Sequence, residues 1–310
     1  MAPTNSKVRI HPINKQFALA LLLGLFALPA SARLQVFACE PEWGSLLQEL
    51  AGENVDVSVG TTALQDVHQI DAKPSLIAKV RKADLLVCTG ADLEVGWLPQ
   101  LIQQSGNQKV ASGAGYFMAA SQVTTLDKPT VLDRAAGDVH PQGNPHIQLD
   151  PYRMLKVAAA LSARLQVLDA ANAASYQQRS ADFSARWQAA TKRWEERAAP
   201  LKGKNIVVHH ISWVYLNAWL GLQQIGALEP KPGVPPTSAH LSSLISATKS
   251  EGTYAIISAA YQDPKPAQWL SERTGVPAIV LPFTVGGDAK STNLFGFYDS
   301  TLDRLLSATK

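Results

Sequence analysis

Six of the seven histidines follow the first 32 residues, and several lie next to predicted strands. His68 lies in a loop after the second predicted strand, and His146 shortly precedes a helix start at Asp150-Pro151. His209 and His210 end the first predicted strand of the second half. Imidazole suits Zn, Cu, Ni and Fe. The spacing therefore indicates that separate loops bring imidazoles to one metal site.

Zinc in proteins normally takes four ligands, so a fourth group is needed beside three imidazoles. The candidate is Asp288, in the glycine-rich loop PFTVGGDAKSTN, where a flexible backbone lets a short carboxylate turn inward. His140 is an accessory candidate, since it lies six residues before His146. Strand alternation points the side chains of His209 and His210 to opposite faces, so only one of the two is expected to reach the metal, with the other as its neighbour.

The elements that carry these residues alternate between short β-rich runs and longer helical ones. This alternation is typical of parallel βα units. The predicted strands are Leu34–Cys39, Val55–Val59, Asp84–Thr89, Asn205–Val208, Tyr254–Ser258 and Ala278–Leu281. Ligands of such sheets bind at the carboxyl ends of the strands, so the site is expected in a cleft between two lobes.

One long helix is predicted between the two lobes. Residues 170–199 contain no glycine and no internal proline, and their large apolar side chains form one stripe. The predicted organisation is a signal peptide at 1–32, an N-terminal α/β lobe at 33–169, a linking helix at 170–199 and a C-terminal α/β lobe at 200–310. The predicted fold class is α/β, with a parallel sheet flanked by helices in each lobe.

The N-terminal segment has the pattern of a secretory signal peptide. Its three charges are basic, the run FALALLLGLFAL follows, and small residues precede a cleavage site expected after Ala32. No cysteine lies near that site, so we expect a periplasmic protein without a lipid anchor. In an oxidising compartment Cys39 and Cys88 can form a disulfide if their two runs are neighbouring parallel strands, and two free thiols are the alternative.

The composition favours a globular protein. Hydrophobic residues make up 46% of the chain, which argues against disorder, and two cysteines are too few for a disulfide-dense scaffold. There are 28 Lys and Arg against 25 Asp and Glu, and the excess of basic residues lies in the N-terminal segment. Nucleic acid is therefore not an expected partner.

The chain, over nearly all of its mature length, resembles the zinc and manganese substrate-binding proteins of bacterial ABC transporters, the ZnuA-like family. The segment Leu228–Leu241, LEPKPGVPPTSAHL, is most similar to a zinc subgroup. The other segments that carry the resemblance are PSLIAKVRKADLLVCTGADLEVGWL after His68, NPHIQLDP around His146, HHISWVYLNAWLGL and LFGFYDSTLDRLL.

The resemblance implies two α/β lobes, a rigid connecting helix and a metal held between the lobes by three histidines and an acidic residue. The motif around the third histidine corresponds to His210 rather than His209, and the acidic ligand corresponds to Asp288. Manganese members have a carboxylate where His210 stands, so the histidine favours zinc.

We therefore expect a protein that is not an enzyme and that binds one Zn²⁺ per chain. The expected partner is the membrane permease of an ABC transporter, a periplasmic metallochaperone is a further candidate, and the protein is expected to be a monomer. Two alternatives stay open. One is a zinc hydrolase with three histidine ligands and Asp288 or Glu94 as general base, although HExxH and GxSxG motifs are absent. The other is the same carrier fold selective for Mn, Ni or Cu.

Overall fold

Two four-stranded parallel sheets form the framework of the computed structural model, which describes residues 1–7, 9, 33–130 and 137–308. The strand order of the first sheet is β2-β1-β3-β4, and its strands are β1 (Leu34–Ala38), β2 (Val55–Val59), β3 (Leu85–Cys88) and β4 (Tyr116–Met118). The order of the second sheet is β6-β5-β7-β8, and its strands are β5 (Asn205–Val208), β6 (Gln223–Ala227), β7 (Thr253–Ala259) and β8 (Ala278–Leu281). The two sheets therefore share one topology.

Helices connect and cover the strands. Several begin with proline in the first turn, where its missing N–H costs no hydrogen bond. In chain order they are α1 (Pro41–Ala51), α2 (Pro74–Lys82), α3 (Leu98–Ser105), α4 (Pro151–Leu168), α5 (Ala173–Ala198), α6 (Val214–Leu220), α7 (Ser238–Ser250), α8 (Lys265–Thr274) and α9 (Leu294–Ser307). The predicted fold class, two parallel sheets flanked by helices together with one long helix, is confirmed.

The long helix α5 has 26 residues and buries the predicted aromatic stripe. It packs against α1, α4 and α9. The Trp187 indole N–H donates to the carbonyl of Pro151 at 2.8 Å, and the Trp194 indole N–H donates to Asp299 at 2.9 Å. The helix is thus bonded both to α4 on the first-sheet side and to α9 on the second-sheet side. We call these two sides the N-lobe and the C-lobe.

Three elements were not predicted from the sequence, namely β4, β6 and α7. The sequence of β6, QQIGA, is half polar and contains glycine, and α7 is rich in serine, so neither has a strong periodic pattern. In addition, α3 begins at Leu98 rather than at Leu93. The intervening residues form a turn in which the Glu94 carboxylate accepts hydrogen bonds from the backbone N–H groups of Thr89 and Gly90.

The predicted signal peptide falls largely on residue 8 and residues 10–32, which lie outside the described part of the chain. Residues 33–310 group together as one unit, and the lobe boundaries proposed from the sequence stay a prediction. Among the described residues, every helix is too short or too polar to cross a membrane.

Candidate metal centre

Three histidines from distant parts of the chain meet at one point. The ligating nitrogens of His68, His146 and His210 all lie within 4.8 Å of one another. Nitrogens that share a tetrahedral zinc are about 3.4 Å apart, because each lies about 2 Å from the metal. Small side-chain movements are therefore enough to bring all three imidazoles onto one ion.

His68 is held in position by a carboxylate two residues before it. Its Nδ1 lies 2.7 Å from Oδ1 of Asp66, and the same oxygen accepts the backbone N–H of His68. The indole N–H of Trp97 donates to the Val67 carbonyl at 2.8 Å and fixes the loop. With a proton on Nδ1, the lone pair of His68 is on Nε2, which is buried and has no hydrogen-bond partner among the described residues.

His210 is oriented in the same way from the C-lobe. It follows β5, and its Nδ1 lies 2.7 Å from Oε2 of Glu229, which follows β6. The neighbouring His209 continues the sheet through its backbone N–H and is not part of the cluster of three. Its Nε2 lies 4.0 Å from Glu229. Of the two adjacent histidines, His210 is thus the one that lies in the cluster, and its role as a ligand stays a prediction.

His146 is the most deeply buried of the three, at 1% exposure. Both of its ring nitrogens lack a hydrogen-bond partner among the described residues, and the ring of Phe283 packs against it at 5.1 Å. Its backbone N–H is bonded by the Asn144 side chain, whose amide donates to the Ile211 carbonyl of the C-lobe. A buried imidazole with two unsatisfied nitrogens is costly unless a ligand binds it.

Burial keeps the imidazole of His146 neutral. Burial, followed by the nearby His68, His210 and His140, lowers the pKa of His146 well below its usual value. Burial acts to raise the pKa of Asp66, but the hydrogen bonds and charge of His68 outweigh it, so that pKa is lowered. Neutral imidazoles and ionised partners are the protonation states that metal binding requires.

Asp288, the fourth residue predicted from the sequence, is not brought to the three imidazoles. Its Oδ2 accepts hydrogen bonds from Ser300 at 2.6 Å and Arg304 at 2.7 Å, both on α9. Its Oδ1 accepts the backbone N–H groups of Lys290 and Ser291. Although burial acts to raise its pKa, these hydrogen bonds hold it below the usual range. Asp288 thus fastens its loop to α9.

Two carboxylates that orient the site, Asp66 and Glu229, were not predicted. Asp66 was visible in the sequence as an acid two residues before His68, a spacing that suits a local side-chain hydrogen bond. Glu229 carried no such signal, because it follows a strand that was not predicted. Glu94, the alternative general base, lies in a buried group with Glu40 and the disulfide rather than with the histidines.

The predicted disulfide is present. Residues Ala38 and Val87 are paired in adjacent strands β1 and β3, so Cys39 and Cys88 follow side by side with their Cα atoms 4.8 Å apart. The bond joins the carboxyl ends of these two strands. It thereby ties the start of α1 to the turn that precedes α3.

His140, the accessory candidate, also lies beside the site. Its ring centroid is 5.4 Å from that of His68, and its Nε2 is buried without a partner in the described structure. Burial, followed by the neighbouring His68 and His210, lowers its pKa to about 4. His240, in contrast, lies on α7 and its Nε2 is bonded to the carbonyl of Ala227.

Three histidines that meet in a fold with two parallel sheets define a candidate metal-binding site. The sequence model of the ZnuA family, described as zinc-uptake complex component A, periplasmic, matches residues 36–308. The chain therefore belongs to the ZnuA family. Members of this family are metal-binding transport proteins rather than enzymes.

Individual relatives are distant and differ in the metal that their names give. The chain is 23% identical over 267 residues to the zinc-binding lipoprotein AdcA of Streptococcus pneumoniae, covering 85% of this chain and 52% of AdcA. It is 21% identical to the manganese ABC transporter substrate-binding lipoprotein PsaA of Streptococcus anginosus, covering 86% and 88%. The chain thus spans about half the length of AdcA.

The fold is similar to solved structures. A crystal structure of ZnuA matches with a TM-score of 0.73 at 23% identity, covering 88% of this chain and 100% of that one. This similarity shows that the chain shares the fold of ZnuA.

One expectation is wrong on these comparisons. The sequence was expected to give a periplasmic protein without a lipid anchor, but AdcA and PsaA are both named lipoproteins. That expectation rested on the absence of a cysteine near the predicted cleavage site, and the lipoprotein names of these relatives contradict it.

Proposed function

We propose that this chain captures Zn²⁺ with His68, His146 and His210 and delivers it to the permease of an ABC transporter. The observation that carries the proposal is the convergence of three imidazoles, two of them oriented by a carboxylate on Nδ1. Carboxylate, imidazole and metal in series are the usual arrangement around zinc ligands. One ion per chain follows from the single cluster of three histidines found in the described residues.

Zinc is proposed over manganese because of the donor atoms. The three grouped ligands are all imidazole nitrogens, and the acidic candidate Asp288 is engaged elsewhere. Manganese prefers carboxylate, carbonyl and water oxygens, whereas imidazole suits zinc. The same carrier with Mn, Ni or Cu as its cargo is the alternative, and both zinc-named and manganese-named relatives match the chain.

We further propose that the N-terminal segment is a signal peptide that directs export. The disulfide supports this, because such bonds persist in oxidising compartments. The monomeric state and a metallochaperone that supplies the metal stay predictions from the sequence.

The test uses the two adjacent histidines as a matched pair. Purified protein, stripped of metal, is titrated with Zn²⁺ and with Mn²⁺ against a chelator of known affinity. We expect one Zn²⁺ per chain, far weaker Mn²⁺ binding, a large loss of affinity in His210→Ala and near-parental affinity in His209→Ala. Tighter binding of Mn²⁺ than of Zn²⁺, or equal losses in the two variants, would contradict the proposal.

A further inference from the structure

A short segment of the N-lobe lies beside the three imidazoles. We call residues 137–142 the strap. The strap carries His140, which lines two cavities, one of about 650 Å³ that also contacts His68 and one of about 130 Å³ that also contacts His146 and His210. His140 therefore lies between the three grouped histidines and the larger of the two cavities.

The Nε2 atom of His140 is free to bind a metal. It is buried and has no hydrogen-bond partner within the described structure, like the Nε2 of His68. A buried ring nitrogen without a partner is costly unless a ligand binds it.

The ring of His140 lies close to one of the three grouped imidazoles. Two imidazoles on one tetrahedral zinc have centroids about 5 Å apart, because the metal lies about 2 Å beyond each nitrogen. The centroid of His68 is 5.4 Å from that of His140, 5.7 Å from that of His146 and 5.9 Å from that of His210. The nitrogens of His140 lie outside the 4.8 Å group of three, so a movement of its side chain has to bring Nε2 onto the ion.

The strap is fixed to both lobes. The backbone N–H of Asp138 donates to the Pro232 carbonyl of the C-lobe at 2.9 Å. Gly137 and Gly233 both have positive φ at this crossing, and a Cβ on Gly137 would overlap the Pro232 carbonyl. At its other end, the Gln142 carbonyl accepts a hydrogen bond from Thr125 of the N-lobe. This backbone docking holds His140 at the cluster without help from a metal.

We propose that His140 is the fourth ligand, so that the ion is held by four imidazoles with the strap closed across the two lobes. The inference rests on the proposed function. The position left by Asp288 is then filled by nitrogen, which makes the site more selective for zinc over manganese than three histidines and a carboxylate would be.

The first test counts the ligands directly. X-ray absorption at the zinc edge should show four imidazoles in the parent and three imidazoles with one oxygen in His140→Ala. In the Co²⁺-substituted protein, the visible bands should shift in the variant, because an oxygen replaces one imidazole nitrogen in the four-coordinate site. Chelator competition should show a loss of more than about 100-fold in zinc affinity, since removing a ligand costs more than the 10–100-fold loss caused by removing its orienting partner.

His240→Ala is the matched control, because it also removes an imidazole but lies on α7 outside the cluster. A second pair tests the docking in case His140→Ala disturbs folding. Gly137→Ala should weaken zinc binding, whereas Gly113→Ala should not. Both glycines have positive φ, but a Cβ on Gly113 meets no neighbouring atom.

The outcomes separate the two proposals. A parent protein that binds no zinc would refute the proposed function itself. A parent that binds zinc with three imidazoles and one or more oxygens, or a His140→Ala variant with unchanged spectrum and affinity, would refute the fourth ligand alone. Equal affinities of the Gly137→Ala and Gly113→Ala variants would refute the role of the docked strap.

Discussion

Replacing Glu229 should weaken zinc binding although its carboxylate is not among the three grouped ligands. Its Oε2 lies 2.7 Å from Nδ1 of His210 and accepts the backbone N–H of Gly233 at 2.8 Å. In Glu229→Ala the imidazole loses the acceptor that fixes its tautomer and its ring orientation. The loop that ends in Gly233 also loses a tether close to the strap.

The magnitude follows from the kind of hydrogen bond that is lost. A hydrogen bond to a charged group contributes about 1.5–3 kcal/mol. At about 1.4 kcal/mol per tenfold change, this corresponds to a loss of about 10–100-fold in affinity, which is also the usual effect of removing such a partner. Glu229→Gln keeps an acceptor oxygen but no charge, so the loss should be smaller, about 1 kcal/mol or fivefold.

The assay is competition for Zn²⁺ against a chelator, with thermal unfolding of the metal-free proteins measured in parallel. Glu272→Ala is the control, because the side chain of Glu272 is 75% exposed on α8 and its ion-pair partner is the neighbouring Arg273 rather than a residue of the cluster. The expected order of affinity is parent and Glu272→Ala, then Glu229→Gln, then Glu229→Ala. A Glu229→Ala protein that binds zinc as tightly as the parent would refute the idea that this carboxylate orients His210.

Three further outcomes are expected. Burial raises the pKa of Glu42 to about 7, so its stabilising contribution is present below the usual value near 4.5 and is lost as the pH rises through 7. The Glu42→Gln side chain can still accept the hydrogen bond from Thr284 and does not ionise. Relative to the parent, the free energy of unfolding of this variant should therefore rise by about 2–3 kcal/mol between pH 5 and pH 8, as measured by urea titration. Loss of the disulfide in a Cys39→Ser, Cys88→Ser double variant should cost about 4 kcal/mol of stability for a loop of this length, and an unchanged urea midpoint would contradict this. Asp288→Ala should lower the melting temperature by several degrees and leave zinc affinity within about twofold, because its carboxylate fastens a loop; a large loss of affinity would return Asp288 to the ligand set.

Much of the framework could be predicted because it depends on local patterns. The alternation of apolar runs and helical segments predicted strands such as Val55–Val59 and Asn205–Val208 with the observed bounds. The long helix followed from an uninterrupted segment with an aromatic stripe. Two of the three elements that were missed, β6 and α7, have no strong periodicity, and their formation depends on packing against β5 and α8.

Part of the candidate site could also be predicted from the sequence. The sequence by itself determined which histidines end strands. Period-two alternation predicted that only one of His209 and His210 faces the metal, and the family resemblance assigned that role to His210. The sequence also indicated that Cys39 and Cys88 could meet, because each ends a strand of one parallel sheet.

Only the tertiary structure decided where the carboxylates go. Asp288 was assigned to the metal because its loop is rich in glycine, yet Ser300 and Arg304 on one face of α9 engage its oxygens. Glu229 and His140 reach the cluster through an unpredicted strand and through a strap that docks on the opposite lobe. Such contacts join residues far apart in the chain, and their energies depend on distances in three dimensions rather than on the spacing along the sequence.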